Sequence, residues 1–204
     1  VETNATLQSS ESAFSDASVY VKLLKQKGLL PSDNRTDGKS IFESANKQIY
    51  MDCNRNLVRI NTPRFQGICA PAGTKEKMDD FEVLALGRDA SLSLVSLDGK
   101  QPIRSAGTLM LVFATNALNS NMKFYDKDMR KLFHPGYYPP LLQNGSFRVA
   151  IRNDRAERLK LHCLHYSGKR MKTILPETVE AGRAVFSIDT ARDGAFLFFE
   201  LSAE

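Results

Sequence analysis

Turn signals recur along this chain at such short intervals that few segments between them could hold a helix. From residue 40 onward, short runs of alternating apolar residues are separated by turns such as DGK at 98–100 and SGK at 167–169. Period-two alternation bounded by Gly, Asn and Asp is typical of β-strands. About twelve short strands without intervening helices predict a mainly β fold, an antiparallel, jelly-roll-like β-sandwich.

One amphipathic helix is predicted before the strands, over residues 14–27. Its apolar stripe consists of Val19, Tyr20, Leu23 and Leu24. Ser15 can cap its first turn, and Gly28 can end it. The chain begins at Val1 with a polar, Ser-rich stretch, which is typical of a linker cut from a longer protein. We therefore expect residues 1–31 to be a linker and a helix packing on the sandwich or on a missing N-terminal domain, and residues 32–204 to be the sandwich.

Two turn sequences make specific structural predictions. In LVRINTPRFQGI, residues 57–68, Pro63 removes a backbone donor and predicts a corner between two strands. Arg64 beside it is expected to be held by a neighbouring strand or by a carboxylate. Asn144-Gly145 is the strongest hairpin signal of the chain, and it predicts that residues 140–143 pair with residues 146–151.

Charge and apolar patterning limit the classes of partner. The formal charge is +5, and the basic excess collects between residues 148 and 172 on predicted strands and turns. Because no helix-turn-helix, zinc or aromatic RNA-binding signature accompanies this excess, it predicts a solvated outer face and no nucleic-acid partner. No apolar run approaches the length of a membrane span, so no membrane association is expected.

The cysteines and histidines do not form a recognisable metal motif. Cys53, Cys69 and Cys163 are odd in number and include no CxxC pair, which excludes a disulfide scaffold and a zinc ribbon but leaves one bridge open. Strand alternation places His162 on the opposite face from Cys163 and His165. Two neighbouring ligands are too few for a zinc site, so we expect no metal and no cofactor.

The sequence carries no signature of independent catalysis. HExxH, GxSxG and phosphate-binding glycine motifs are absent. A glycosidase needs two carboxylates facing each other across the scissile bond. The acids considered for such a pair are Glu43, Asp52, Asp79, Asp80 and Glu82. Nothing in their spacing singles out two of them, so the isolated chain is expected not to be an enzyme.

The segment FYDKDMRKLFHPGYY, residues 124–138, is the candidate ligand site. Sugar rings present C–H faces to aromatic rings, and their hydroxyls need polar partners. The predicted carbohydrate-binding residues are Tyr125, Asp126, Phe133, His134, Tyr137 and Tyr138. Two alternatives are a long connection pinned by its own aromatics and a calcium site at Asp126 and Asp128, although two carboxylates fall short of the usual ligand count.

Several of these segments together resemble one known kind of domain. They are IYMD at 49–52, VRINTPRFQ at 58–66, VSLDGKQPI at 95–103, GYYPPLL at 136–142 and DTA at 189–191. This series resembles the C-terminal β-sandwich accessory domain that follows the catalytic (β/α) barrel in bacterial glycoside hydrolases. The likeness runs from about residue 32 to the end. The chain departs from the family pattern at Asn61, where Asp is usual, and at Phe124, where Trp is frequent.

The resemblance implies a non-catalytic domain that stabilises or orients the barrel. Its partner would be the catalytic domain of the same polypeptide, a glycoside hydrolase, and its location extracellular or periplasmic. The alternative function is that of a carbohydrate-binding module that holds a polysaccharide or oligosaccharide through residues 124–138.

Overall fold

The computed structural model describes residues 17–203. These residues form two compact units, one ending at Ile60 and the other beginning at Asn61. The predicted linker up to residue 16 and the Ser15 cap lie outside the described part of the chain. Within the described part, no helix has the length and apolar character needed to cross a membrane.

The first unit contains one helix and a three-stranded antiparallel meander. Its elements are α1 (Ala17–Gln26), β1 (Ile41–Glu43), β2 (Ile49–Asp52) and β3 (Leu57–Asn61). Gly28 follows α1 with φ of +67°, the left-handed conformation that a residue beyond a helix end often adopts. No described residue of α1 is fully buried; within the predicted apolar stripe Val19 and Tyr20 are exposed, whereas Leu23 and Leu24 are partly buried.

The second unit contains two larger antiparallel sheets. Its first strands are β4 (Phe65–Ala70), β5 (Glu76–Lys77), β6 (Phe81–Leu86), β7 (Ala90–Ser96), β8 (Thr108–Ala114), β9 (Ala117–Ser120), β10 (Lys123–Phe124), β11 (Leu132–His134) and β12 (Tyr137–Leu142). They are followed by β13 (Ser146–Arg152), a 3₁₀ turn (Ala156–Arg158), β14 (Leu159–Leu164), β15 (Arg170–Ile174), β16 (Thr178–Glu180), β17 (Arg183–Asp189), the short α2 (Thr190–Asp193) and β18 (Phe198–Ala203).

The two sheets of this unit meet across an aromatic core. One sheet runs in the order β4-β7-β8-β18-β14-β15, and the other in the order β16-β17-β13-β6-β5. Burial alternates along β7, β8 and β17, as expected where one face of each sheet is covered. Phe147 of β13 contacts two rings of the opposite sheet, Phe113 at 4.8 Å and Phe199 at 5.7 Å between centroids. The predicted mainly β, antiparallel sandwich with one helix near the N-terminus is confirmed.

The Thr-Pro-Arg corner is present between β3 and β4. The Thr62 hydroxyl accepts from Phe65 N at 3.0 Å and donates to its carbonyl oxygen at 2.9 Å, which closes the turn around Pro63. The expectation for Arg64 is wrong. Its side chain is exposed, and within residues 17–203 it makes no hydrogen bond or ion pair, although its carbonyl oxygen accepts from Ser96 N.

The prediction of a hairpin at Asn144-Gly145 is also wrong. β12 pairs with β9, whereas β13 lies between β17 and β6. The Gly145 N–H donates to Thr190 Oγ1 at 2.9 Å, and Thr190 N donates back to the Gly145 carbonyl oxygen. These partners are distant in sequence, so the local turn signal is overridden by tertiary pairing.

Candidate functional site

The predicted binding segment folds into a short hairpin followed by β12. β10 and β11 pair so that Lys123 lies opposite His134 and Phe124 opposite Leu132. Tyr125 N donates to the Lys131 carbonyl oxygen at 2.9 Å, which continues the ladder toward the tip. At the tip, Asp126 Oδ1 accepts from Arg130 N at 3.1 Å. Asp126 therefore has a local role in closing the turn.

Four of the predicted residues form two ring pairs, which we call the aromatic surface: Tyr125, Phe133, His134 and Tyr137. Tyr125 and Phe133 meet edge to face with centroids 5.0 Å apart. His134 and Tyr137 lie 5.1 Å apart. The Lys131 ammonium lies 5.0 Å from the centroid of Tyr125, within the range of a cation–π contact.

The rings hold one another in place and still face solvent. Tyr125, Phe133 and Tyr137 are 59–64% exposed, and Tyr138 is 90% exposed. A connection packed by its own aromatics would bury most of each ring, because the gain from packing scales with the area removed from water. Clustered exposed rings of this kind are a feature of interaction surfaces.

A concave recess of about 220 Å³ lies beside the aromatic surface. It is lined by Asn121, Lys123, Phe133, His134 and Tyr137. Three of the six predicted residues therefore come together here. Tyr125 reaches the recess only through its contact with Phe133, while Asp126 and Tyr138 are not among the lining residues.

The chain must turn tightly to bring Tyr137 next to His134. Gly136 has φ of +75°, and a Cβ at this position would lie 2.6 Å from the Ser120 carbonyl oxygen. Its N–H donates to His134 Nδ1 at 3.0 Å. Only glycine fits both the conformation and the close approach, so Gly136 is a positioning residue for the recess.

Sequence analysis did not identify Asn121 and Lys123 as site residues. Neither is aromatic, and both precede the aromatic segment. Lys123 belongs to the recess because the β10–β11 register places it opposite His134, and side chains opposite each other in an antiparallel pair share a face. That register could not be read from residue types alone.

The acids considered for catalysis are mostly occupied by structural contacts. Arg35 binds Glu43 through two nitrogens at 2.9 and 2.7 Å. Arg104 Nε donates to Asp80 at 2.7 Å. Glu82 forms an ion pair with Arg183, and Asp52 accepts hydrogen bonds from the backbone of the following turn.

Asp79 differs from the other four acids. Its backbone N–H donates to Asn61 Oδ1 at 3.4 Å, and this contact does not involve its carboxylate.

Packing and hydrogen bonds within the sheet hold the buried Cys163 and His162. All three cysteines are free thiols. Cys163 is buried, and burial raises its pKa to about 11. His162 lies between Thr173 Oγ1 at 2.9 Å and Ser202 Oγ at 3.1 Å. Within residues 17–203, no three His, Cys, Asp or Glu side chains are grouped closely enough to hold a metal ion.

Comparison of the chain with protein-family models, with curated proteins and with solved structures finds no match. The protein is an antiparallel β-sandwich, and its candidate site is an exposed aromatic surface beside a recess.

Proposed function

We propose that this chain is a non-catalytic β-sandwich domain of a carbohydrate-active enzyme and that its aromatic surface binds a glycan. The observation that carries this proposal is the exposure of Phe133 and Tyr137 beside the recess, although each ring already has a ring partner. Rings fixed before the ligand arrives lose little conformational freedom on binding.

The polar groups of the recess match the other requirement of sugar recognition. Tyr137 Oη, the Asn121 amide and the Lys123 ammonium can donate hydrogen bonds to hydroxyl groups. The volume of the recess is below the range of about 300–1,000 Å³ that is typical of pockets for drug-sized ligands. It suits one ring of a longer chain that otherwise lies along the surface.

A glycan array with the purified protein tests this proposal. We expect retention of at least one polysaccharide or oligosaccharide and its loss in Tyr137→Ala. Tyr166→Ala is the matched control, because Tyr166 is 64% exposed and Tyr137 is 62% exposed. An array without any hit, or equal binding by Tyr137→Ala and the wild type, would contradict glycan binding at this surface.

A second candidate function, support of a catalytic domain in the same polypeptide, is favoured by α1. Val19 and Tyr20 are exposed, and α1 contains no buried residue among those described. Exposed apolar side chains on one side of an amphipathic helix are suited to packing on another domain. If α1 has this role, Tyr20→Asp will lower the melting temperature of the parent enzyme and Lys22→Asp will not. Equal effects of the two changes would argue against it.

A further inference from the structure

Within residues 17–203, the recess is lined by one basic side chain and by no acidic side chain. Lys123 is the one lysine or arginine among its described lining residues, and none of them is Asp or Glu. A neutral sugar needs donors and acceptors in comparable number. This lining is dominated by donors, because the Lys123 ammonium has no acceptor capacity.

The surrounding hairpin is also basic. Its cations are Lys123, Lys127, Arg130 and Lys131, and its acids are Asp126 and Asp128. Asp126 Oδ1 already accepts from Arg130 N, and the Lys131 ammonium lies over the ring of Tyr125. The local field therefore favours an anion near the recess.

Lys123 lines the recess together with His134 and Tyr137. In the β10–β11 register Lys123 lies opposite His134, and His134 contacts Tyr137. An ammonium, an imidazole and an aromatic face thus surround one space. A pyranose ring that carries a carboxylate could place its C–H face on Tyr137 and its charge next to Lys123.

We propose that the recess recognises an acidic sugar unit, a uronate, within a polysaccharide. This inference rests on the proposed function and deepens it, because it names the chemical class of the glycan. Lys123 would be the residue that distinguishes the charged sugar from its neutral counterpart. Asn121 and Tyr137 would contact the hydroxyl groups and the ring.

Affinity electrophoresis through two polymer pairs tests this inference: polygalacturonate and alginate, each beside its ester. Each pair shares a backbone and differs in carboxylate charge. We expect the wild type to bind at least one acid form about tenfold more tightly than its ester. Lys123→Gln should weaken binding to the acid form about fivefold more than binding to the ester, so that the preference for the acid form shrinks.

Lys160→Gln is the control for non-specific charge attraction, since it removes the same charge from an exposed position on β14, outside the hairpin. The inference is overturned if Lys160→Gln weakens acid binding as much as Lys123→Gln. It is also overturned if acid and ester bind equally or if none of the four polymers binds. Binding of neutral glycans on the array, abolished by Tyr137→Ala, would leave the proposed function standing in each of these cases.

Discussion

The Tyr137 hydroxyl lies 3.3 Å from His134 Nε2. Because the Gly136 N–H donates to Nδ1 of the same imidazole, the neutral ring carries its proton on Nε2 and donates to the tyrosine oxygen. The Tyr137 O–H is then available to donate outward. One histidine thus connects the turn at Gly136 to the orientation of the ring that we propose binds sugar.

Replacing His134 with Ala should weaken glycan binding about fivefold without unfolding the protein. The change removes the ring and hydrogen-bond contacts of Tyr137, so more conformational freedom is lost on binding. Titration calorimetry with the strongest array ligand measures the effect, and the melting temperature controls for folding. Unchanged affinity in His134→Ala would show that this histidine does not position Tyr137.

Phe147 should be among the residues that contribute most to stability. It is buried between the sheets against Phe113 and Phe199, so Phe147→Ala should lower the free energy of unfolding by about 3–5 kcal/mol. Phe133→Ala, at an exposed ring, should change it by less than about 1 kcal/mol. Urea unfolding compares the two, and similar losses would contradict the proposed position of the core.

Much of the sandwich can be predicted from alternation and turn chemistry. β8 alternates between buried and half-buried residues, and the β14–β15 hairpin encloses the SGK sequence at 167–169, where the turn chemistry predicts it. The Asn144-Gly145 prediction fails because β13 takes both its partners from remote strands, β6 and β17. Local sequence records which residues favour a turn, but not which strands meet across the fold.

The ionised carboxylate of Asp193 should contribute to the free energy of unfolding, and this contribution should be lost at acidic pH. Hydrogen bonds from Arg192, Lys172 and the Asp189 backbone hold the pKa of this carboxyl well below its usual range, against the opposing effect of burial. A depressed folded-state pKa gives stability that is complete above about pH 4, near the unfolded pKa, and is lost as the pH falls further.

Asp193→Asn should therefore cost about 1–2 kcal/mol at neutral pH, and this difference from the wild type should shrink below about pH 4. Chemical unfolding over a series of pH values gives both quantities. A difference that grows on acidification has the opposite sign and would exclude this role for Asp193.

Thiol alkylation should distinguish the three cysteines. Cys53 and Cys69 are exposed, whereas Cys163 is buried and its pKa is raised by that burial to about 11. Thiolate is the reactive form, so iodoacetamide at mildly alkaline pH should add two groups to the native protein and a third only after unfolding. Mass spectrometry of the intact protein gives the number of alkylated thiols. Rapid triple labelling of the native protein, or protection of Cys53 and Cys69, would contradict this arrangement.

The candidate site can be only partly predicted from sequence. Residue type alone identifies Phe133, His134 and Tyr137 as candidate sugar-binding residues, because aromatic rings and an imidazole suit a sugar. Lys123 can be assigned to the site only when the strand register is known. Asp126 accepts a hydrogen bond that closes the hairpin turn and does not line the recess. Side-chain chemistry identifies candidates, while the backbone decides which of them share a recess.

The most direct test of the central proposal is calorimetric titration of the array ligand into the wild type, Tyr137→Ala and Tyr166→Ala. We predict that Tyr137→Ala weakens the Kd about tenfold or more, since it removes a ring face and a hydroxyl beside the recess, and that Tyr166→Ala matches the wild type. Equal affinities for all three proteins would contradict the assignment of the aromatic surface as the glycan site.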